Sequence, residues 1–150
     1  MIRPATLLDV PRIVELGALM HAESRYTMLR YDAEKMARAT ALIVNAPDGL
    51  ALVAVKGGRI VGAFMGVAEE HFFSRDKFAF DLATYIEPEH RGGFLAVALL
   101  RGFVRWARAR GIACINAGIA SGINHDVSER LYERVGFVRI GTAYEYQGNL

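Results

Sequence analysis

The chain has 150 residues, 53% hydrophobic and 23% charged, which is the composition of a single folded domain and excludes a disordered segment. Eighteen Lys and Arg against sixteen Asp and Glu leave a net charge of +2, too small to argue for a nucleic-acid partner. Cys114 is the only cysteine, so no internal disulfide forms and a reducing cytoplasm is the expected setting.

In chain order, Ile2 to Ala5 reads as a short strand. A helix follows, capped by Thr6 or Asp9, with Pro11 tolerated in its first turn and Ile13, Leu16, Leu19 and Met20 expected inward. Asp9, Arg12 and Glu15 interrupt any apolar core that a signal peptide would need. His21 to Tyr31 mixes aromatic, basic and small polar residues without periodicity. A second helix is expected from after Asp32 to about Asn45, with Met36, Ala39 and Ile43 in its apolar stripe, and Pro47-Asp48-Gly49 is a turn. Leu50 to Val55, the pair Gly57-Gly58, and Arg59 to Val67 read as a β-hairpin.

Glu69-Glu70-His71 leads into a polar loop, and a long strand runs from Phe78 to Ile86 until Pro88, which has no N–H for a ladder. Leu95, Leu99, Phe103 and Trp106 then fall at helical spacing, with Arg101, Arg105 and Arg108 on another face. That basic face reads as a solvated helix surface. Gly111 is a natural C-cap, Ala113 to Ala117 a buried strand, and Asp126-Val127-Ser128-Glu129 a capping box for a helix ending at Gly136. Phe137 to Ile140 and Ala143 to Tyr146 are the expected closing strands. The order β-α-α-β-β-β-α-β-α-β-β contains no repeat and no linker, and predicts a mixed sheet with helices on both faces. No uninterrupted apolar run approaches the roughly twenty residues of a membrane span.

Between the long strand and its helix lies Arg91-Gly92-Gly93. A strand that turns through glycines into a helix leaves unpaired N–H groups at the positive end of the helix dipole, which suits a phosphate. Arg91-Gly92-Gly93-Phe94-Leu95-Ala96 resembles the Arg/Gln-x-x-Gly-x-Gly/Ala turn of the GCN5-related N-acetyltransferase (GNAT) family, with Phe94 where the family usually has glycine. Asn124 with Leu131-Tyr132-Glu133-Arg134-Val135-Gly136-Phe137 is similar to the family's Asn-x-x-Ala … Leu-Tyr-Glu-Lys/Arg-x-Gly-Phe segment, with Ser128 in place of alanine. The opening Ile2-Arg3-Pro4-Ala5-Thr6 with Asp9 also resembles a family start, and Trp106-Ala107 with Gly122-Ile123-Asn124 resembles small phage and prophage members.

The resemblance implies a single α/β domain over residues 1–150. Its mostly antiparallel sheet would carry a V-shaped splay between the two central strands. It implies acetyl-CoA as co-substrate, bound by Tyr85, Ile86, Arg91, Gly92, Gly93, Phe94, Leu95, Ala96, Asn124 and Tyr132, with no metal. The implied reaction is direct attack by a primary amine of a small molecule. The Ile86 N–H would stabilise the oxyanion, Tyr132 would protonate the thiolate, and Glu69 or Asp81 would be the base. Each residue also has a plainer reading: Tyr132 as a core aromatic, Asn124 as a turn residue, Glu69 as solvated surface, Asp81 as a bond to neighbouring backbone or the cap of a bulge. Transfer to a protein N-terminus or lysine, and a non-catalytic acyl-CoA-binding domain, stand as alternative functions. A homodimer is an open expectation, since dimers are frequent among relatives.

Overall fold

The computed structural model describes residues 1–148. The elements in order are β1 (Ile2–Pro4), α1 (Val10–Glu23), α2 (Ala33–Asn45), β2 (Gly49–Lys56), β3 (Arg59–Glu70), β4 (Lys77–Ile86), α3 (Leu95–Ala109), β5 (Cys114–Asn116) and α4 (His125–Val135). Short 3-10 turns lie at Leu7–Asp9, Arg25–Met28 and Pro88–His90. The strands form one sheet in the order β1-β2-β3-β4-β5, antiparallel throughout except for the parallel pair β4 and β5.

The alternation that made the strands legible also builds two cores, because successive side chains of a strand face opposite sides. Phe64, Ile86 and Leu52 meet Leu99, Leu100 and Phe103 of α3, with Leu131 and Tyr132 of α4 packed beside them. The Phe64 and Phe103 rings lie 4.9 Å apart. On the other face Val53, Met65 and Tyr85 meet Ile13 and Leu16 of α1. Gly57 and Gly58, both at positive φ, close the β2–β3 hairpin as the pair of central residues such a turn requires.

The N-terminal turn is held by charge. Asp9 is buried, receives a bidentate pair from Arg3 at 2.7 and 2.9 Å, and accepts the Thr6 N–H at 2.8 Å. The hydrogen bond from Arg3 holds its carboxyl far below the usual range. Asp32 caps α2 by accepting the Lys35 N–H at 2.9 Å.

Several expectations are corrected. Leu19 is 43% exposed, since at about 100° per residue it stands roughly 120° round α1 from Ile13. On α2, Ala39 faces solvent and Thr40 is the fully buried residue, its hydroxyl donating to Met36 O at 2.8 Å. The capping box at Asp126–Glu129 does not form. Helix α4 begins two residues earlier, behind Asn124, whose side chain makes no cap bond. Phe137–Ile140 and Ala143–Tyr146 are not strands in the described chain. Arg139 pairs with Glu129, and Glu145 accepts Arg25 Nη1 at 2.6 Å, so ion pairs draw this segment across the loops instead of along β5. Strand β5 is therefore shorter than expected and Cys114 is exposed.

Candidate active site

The site begins with a mismatch between β4 and its two neighbours. On one side β4 pairs with β3 along its whole length, with an extra residue, Leu82, between the pairs Met65↔Ala83 and Gly66↔Asp81. Such a bulge increases the local twist. On the other side β5 pairs only at Phe78↔Cys114, Ala79↔Ile115 and Phe80↔Asn116. From Asp81 to Ile86 this edge of β4 has no partner strand among the described residues, and the two strands splay apart.

Register decides which groups line that gap. The Glu87 N–H donates to Val61 O at 2.9 Å, so Gly62↔Ile86 is a pair that exchanges no hydrogen bonds. Its backbone groups point outward. The Ile86 carbonyl, facing the splay, accepts Arg91 Nε at 2.8 Å, and the Ile86 N–H faces the same gap. A cavity of about 510 Å³ passes through the splay, within the roughly 300–1,000 Å³ usual for small-molecule sites. Met20 and Tyr26 line it from the α1 face of the sheet, Ala96 and Leu131 from the α3 and α4 face. It is a passage between the two faces.

Asp81 and Tyr132 meet in this passage. The Tyr132 hydroxyl donates to Asp81 Oδ2 at 2.9 Å, and Gly118 N donates to Asp81 Oδ1 at 2.9 Å. Burial raises the Asp81 carboxyl above its ordinary value against the pull of those two bonds. Burial first, then the charge and hydrogen bond of Asp81, push the Tyr132 phenol well above the ordinary tyrosine range. The phenol thus keeps its proton at neutral pH, held against Asp81.

At the other end of the passage Pro88–His90 turns the chain into α3. Gly92 lies at φ 77°, where only glycine is unstrained, and a side chain built on Gly93 would meet open space. The amides of Gly92, Gly93, Phe94, Leu95 and Ala96 find no acceptor among the described residues. Five consecutive free N–H groups at a helix N-terminus fit a pyrophosphate. The Phe94 ring is 68% exposed and, like Leu95, stands outside the cavity lining, so its bulk leaves the turn open. Asn124, at φ 45°, lines the passage from the start of α4.

Two candidates are placed differently from the sequence reading. Glu69 pairs with Phe78 at the far end of β3, three residues along β4 from Asp81, which is about 10 Å of strand. It does not line the cavity. The Arg91 guanidinium turns away from the glycine turn to Glu23, with both contacts at 2.9 Å, and lies over the Tyr85 ring at 5.1 Å. The Tyr85 hydroxyl also donates to Glu23. The Arg91 bond holds the Glu23 carboxyl below its ordinary range, and burial followed by Glu23 pushes the Tyr85 phenol up to about 12.

Glu23 escaped the sequence reading because it falls at the edge of the aperiodic His21–Tyr31 stretch. One signal was present: a glutamate as the last residue of a helix faces the negative end of its dipole, an arrangement that calls for a cation. Thr84 was also missed. Its buried hydroxyl lines the cavity without a partner among the described residues.

The acetyltransferase (GNAT) family model matches residues 16–137. No curated protein matches the chain. Among solved structures, an integron cassette protein from the mobile metagenome of Cole Harbour Salt Marsh is 20% identical, covering 98% of this chain and 89% of its own, with a TM-score of 0.79. A ribosomal-protein-alanine N-acetyltransferase from Brucella melitensis biovar Abortus 2308 is 20% identical over 99% and 98% of the two chains, with a TM-score of 0.74. An aminoglycoside antibiotic 6'-N-acetyltransferase from Acinetobacter haemolyticus is 15% identical over 100% and 99%, also with a TM-score of 0.74. At such identities these likenesses concern the fold, and it is the family model over most of the chain that makes this protein a member of the acetyltransferase (GNAT) family, an acetyl-CoA-dependent N-acetyltransferase.

Proposed function

We propose that the chain moves an acetyl group from acetyl-CoA to a primary amine of a small molecule by direct attack. The observation that carries this reading is the passage through the sheet. It has free helix amides on the α3 face, an acceptor-sized mouth on the α1 face, and a proton-holding pair between them. Two substrates entering from opposite faces meet in the splay. That some structural neighbours are aminoglycoside acetyltransferases supports a small amine as acceptor.

The pyrophosphate of acetyl-CoA is held by the amides from Gly92 to Ala96, with Arg91 fixing the turn and the neighbouring Ile86 peptide. Ile86 lends its outward backbone to the pantetheine arm, while the Tyr85 backbone is turned to β3 across from Ala63, and Asn124 approaches the arm from α4. The Ile86 N–H stabilises the oxyanion as the amine adds to the thioester carbonyl. Asp81 takes the amine proton, and Tyr132 gives its proton to the departing sulfur. Asp81 then returns a proton to the phenolate across their 2.9 Å hydrogen bond, which restores both groups. Glu69 is too far along the sheet to share that work. The lone exposed cysteine fits a reducing cytoplasmic setting.

Titration calorimetry and thiol release together test this reading. The chain is expected to bind acetyl-CoA, to bind a pantetheine fragment lacking the pyrophosphate far more weakly, and to release thiol with at least one amine of a broad panel. Equal affinity for both ligands removes the phosphate turn; binding without thiol release over the whole panel leaves an acyl-CoA-binding domain.

A further inference from the structure

The α1 half of the passage is walled by apolar groups. Met20, Tyr26, Leu82 and Ala83 at the β4 bulge, Ile119 and Ala120 all line it. Ala120 and the adjoining Ser121 are held there, because the Arg25 side chain donates to Ala120 O at 2.6 Å and its backbone N–H to Ser121 O at 2.8 Å. Leu82, lifted out of the ladder, lines this cavity and is 49% exposed.

Anionic groups are present at this mouth, but each is already committed. Glu23 is filled by Arg91 and Tyr85, Asp81 by Tyr132 and Gly118, and Glu145 by Arg25 and Gln147. The other charged groups lining the cavity, Arg91, Arg130 and Arg134, are cationic. A ligand carrying several ammonium groups would therefore bring in charges with no free carboxylate to meet them, which is costly away from water. An amine with a single basic nitrogen on an apolar body leaves one proton in water to enter as the neutral amine, gives a second to Asp81 as it adds, and buries its body against the walls.

Resting on the transferase reading above, we propose that the acceptor is a monoamine with an apolar or aromatic body and that Leu82 sets this preference. Polycationic amines are the class the site rejects.

The test compares 2-phenylethylamine and tyramine with spermine and kanamycin, by thiol release and by equilibrium dialysis of each amine against the protein saturated with CoA. The aryl amines are expected to show at least tenfold higher kcat/KM and tighter retention. Leu82→Glu, at a partly exposed position, is expected to fold and to keep acetyl-CoA affinity while narrowing or reversing the ratio in favour of spermine. Met20→Glu is the second variant if Leu82→Glu unfolds on thermal melting. Equal or better turnover or retention of spermine and kanamycin by the native chain overturns the proposal, whether or not the aryl amines react. So does a ratio that neither variant moves. Failure to bind acetyl-CoA sinks the transferase reading instead, and dialysis against the free protein then decides the amine preference by the same criterion.

Discussion

The Tyr132 hydroxyl has one close acceptor, Asp81 Oδ2 at 2.9 Å, while its ring packs 5.6 Å from that of Phe137. Tyr132→Phe removes the proton and leaves the packing. Turnover is expected to fall by about a hundredfold, the usual share of a general acid, with acetyl-CoA affinity unchanged. A thiolate is a fair leaving group, so residual activity is expected. Rates measured where chemistry limits turnover check this, and an unchanged kcat returns Tyr132 to the role of a core aromatic. Asp9 shows the same economy in a structural setting, because its carboxylate collects Arg3 and the Thr6 amide in one buried contact. Asp9→Asn is expected to cost about 1.5–3 kcal/mol near neutrality, the range for hydrogen bonds to charged groups. Since the folded-state pKa is depressed, this stability is fully present above the ordinary carboxylate value of about 4 and is lost as pH falls through the lower folded value. Denaturant curves of the two proteins are therefore expected to differ at pH 7 and to converge only in strong acid.

Among the elements, β4 carries the design, and its fit against β3 depends on Gly62. A side chain there would meet Ile86 Cγ1 at 2.8 Å and the Tyr85 carbonyl at 2.9 Å. The second contact is backbone and cannot yield cheaply. Gly62→Ala is expected to destabilise by about 1–3 kcal/mol, as overpacking does, and to lower kcat more than its effect on acetyl-CoA binding, because it displaces the peptide that faces the splay. Thermal melts with kcat and KM for both substrates test it; a stability loss with unaltered kcat would detach Ile86 from the chemistry. Much of this element was legible beforehand. Alternation, the glycine turn and the halt at Pro88 mark β4, its end and the start of α3 without any tertiary information. A bulge near Asp81 was one reading of a carboxylate amid apolar strand residues, but its placement at Leu82 was not legible, since that depends on the register of two strands. The closing strands failed for a related reason. Val138, Ile140, Tyr144 and Tyr146 have strand chemistry, but pairing needs an available edge, and ion pairs to Glu129 and Arg25 take the segment elsewhere. Tyr132 could be named from its motif and Asp81 as a carboxylate in an apolar strand; that their side chains touch could not.

At the scale of the molecule the sheet separates two cores, and only a few contacts join the α1 face to the turn that opens α3. The chief one runs from Glu23 at the end of α1, through Arg91, to the Ile86 carbonyl at the end of β4, with Tyr85 bonded to Glu23 beneath. Arg91 uses all three of its nitrogens in this way. The chain thus orients the peptide whose N–H faces the thioester from a residue on the acceptor side. Glu23→Ala and Arg91→Met are each expected to lower kcat by about tenfold or more, since each leaves a charge without its partner and frees the Ile86 peptide to rotate. The double variant is expected to be no slower than the worse single one, because both break the same connection. Coupling energies of about 0.5–3 kcal/mol are usual for residues in one network, and the cycle in kcat measures it directly. Affinity for acetyl-CoA separates this from the competing arrangement. If Arg91 abandons Glu23 for the phosphates, Arg91→Met weakens binding and Glu23→Ala tightens it. If the connection persists, the two variants move affinity little and in the same direction.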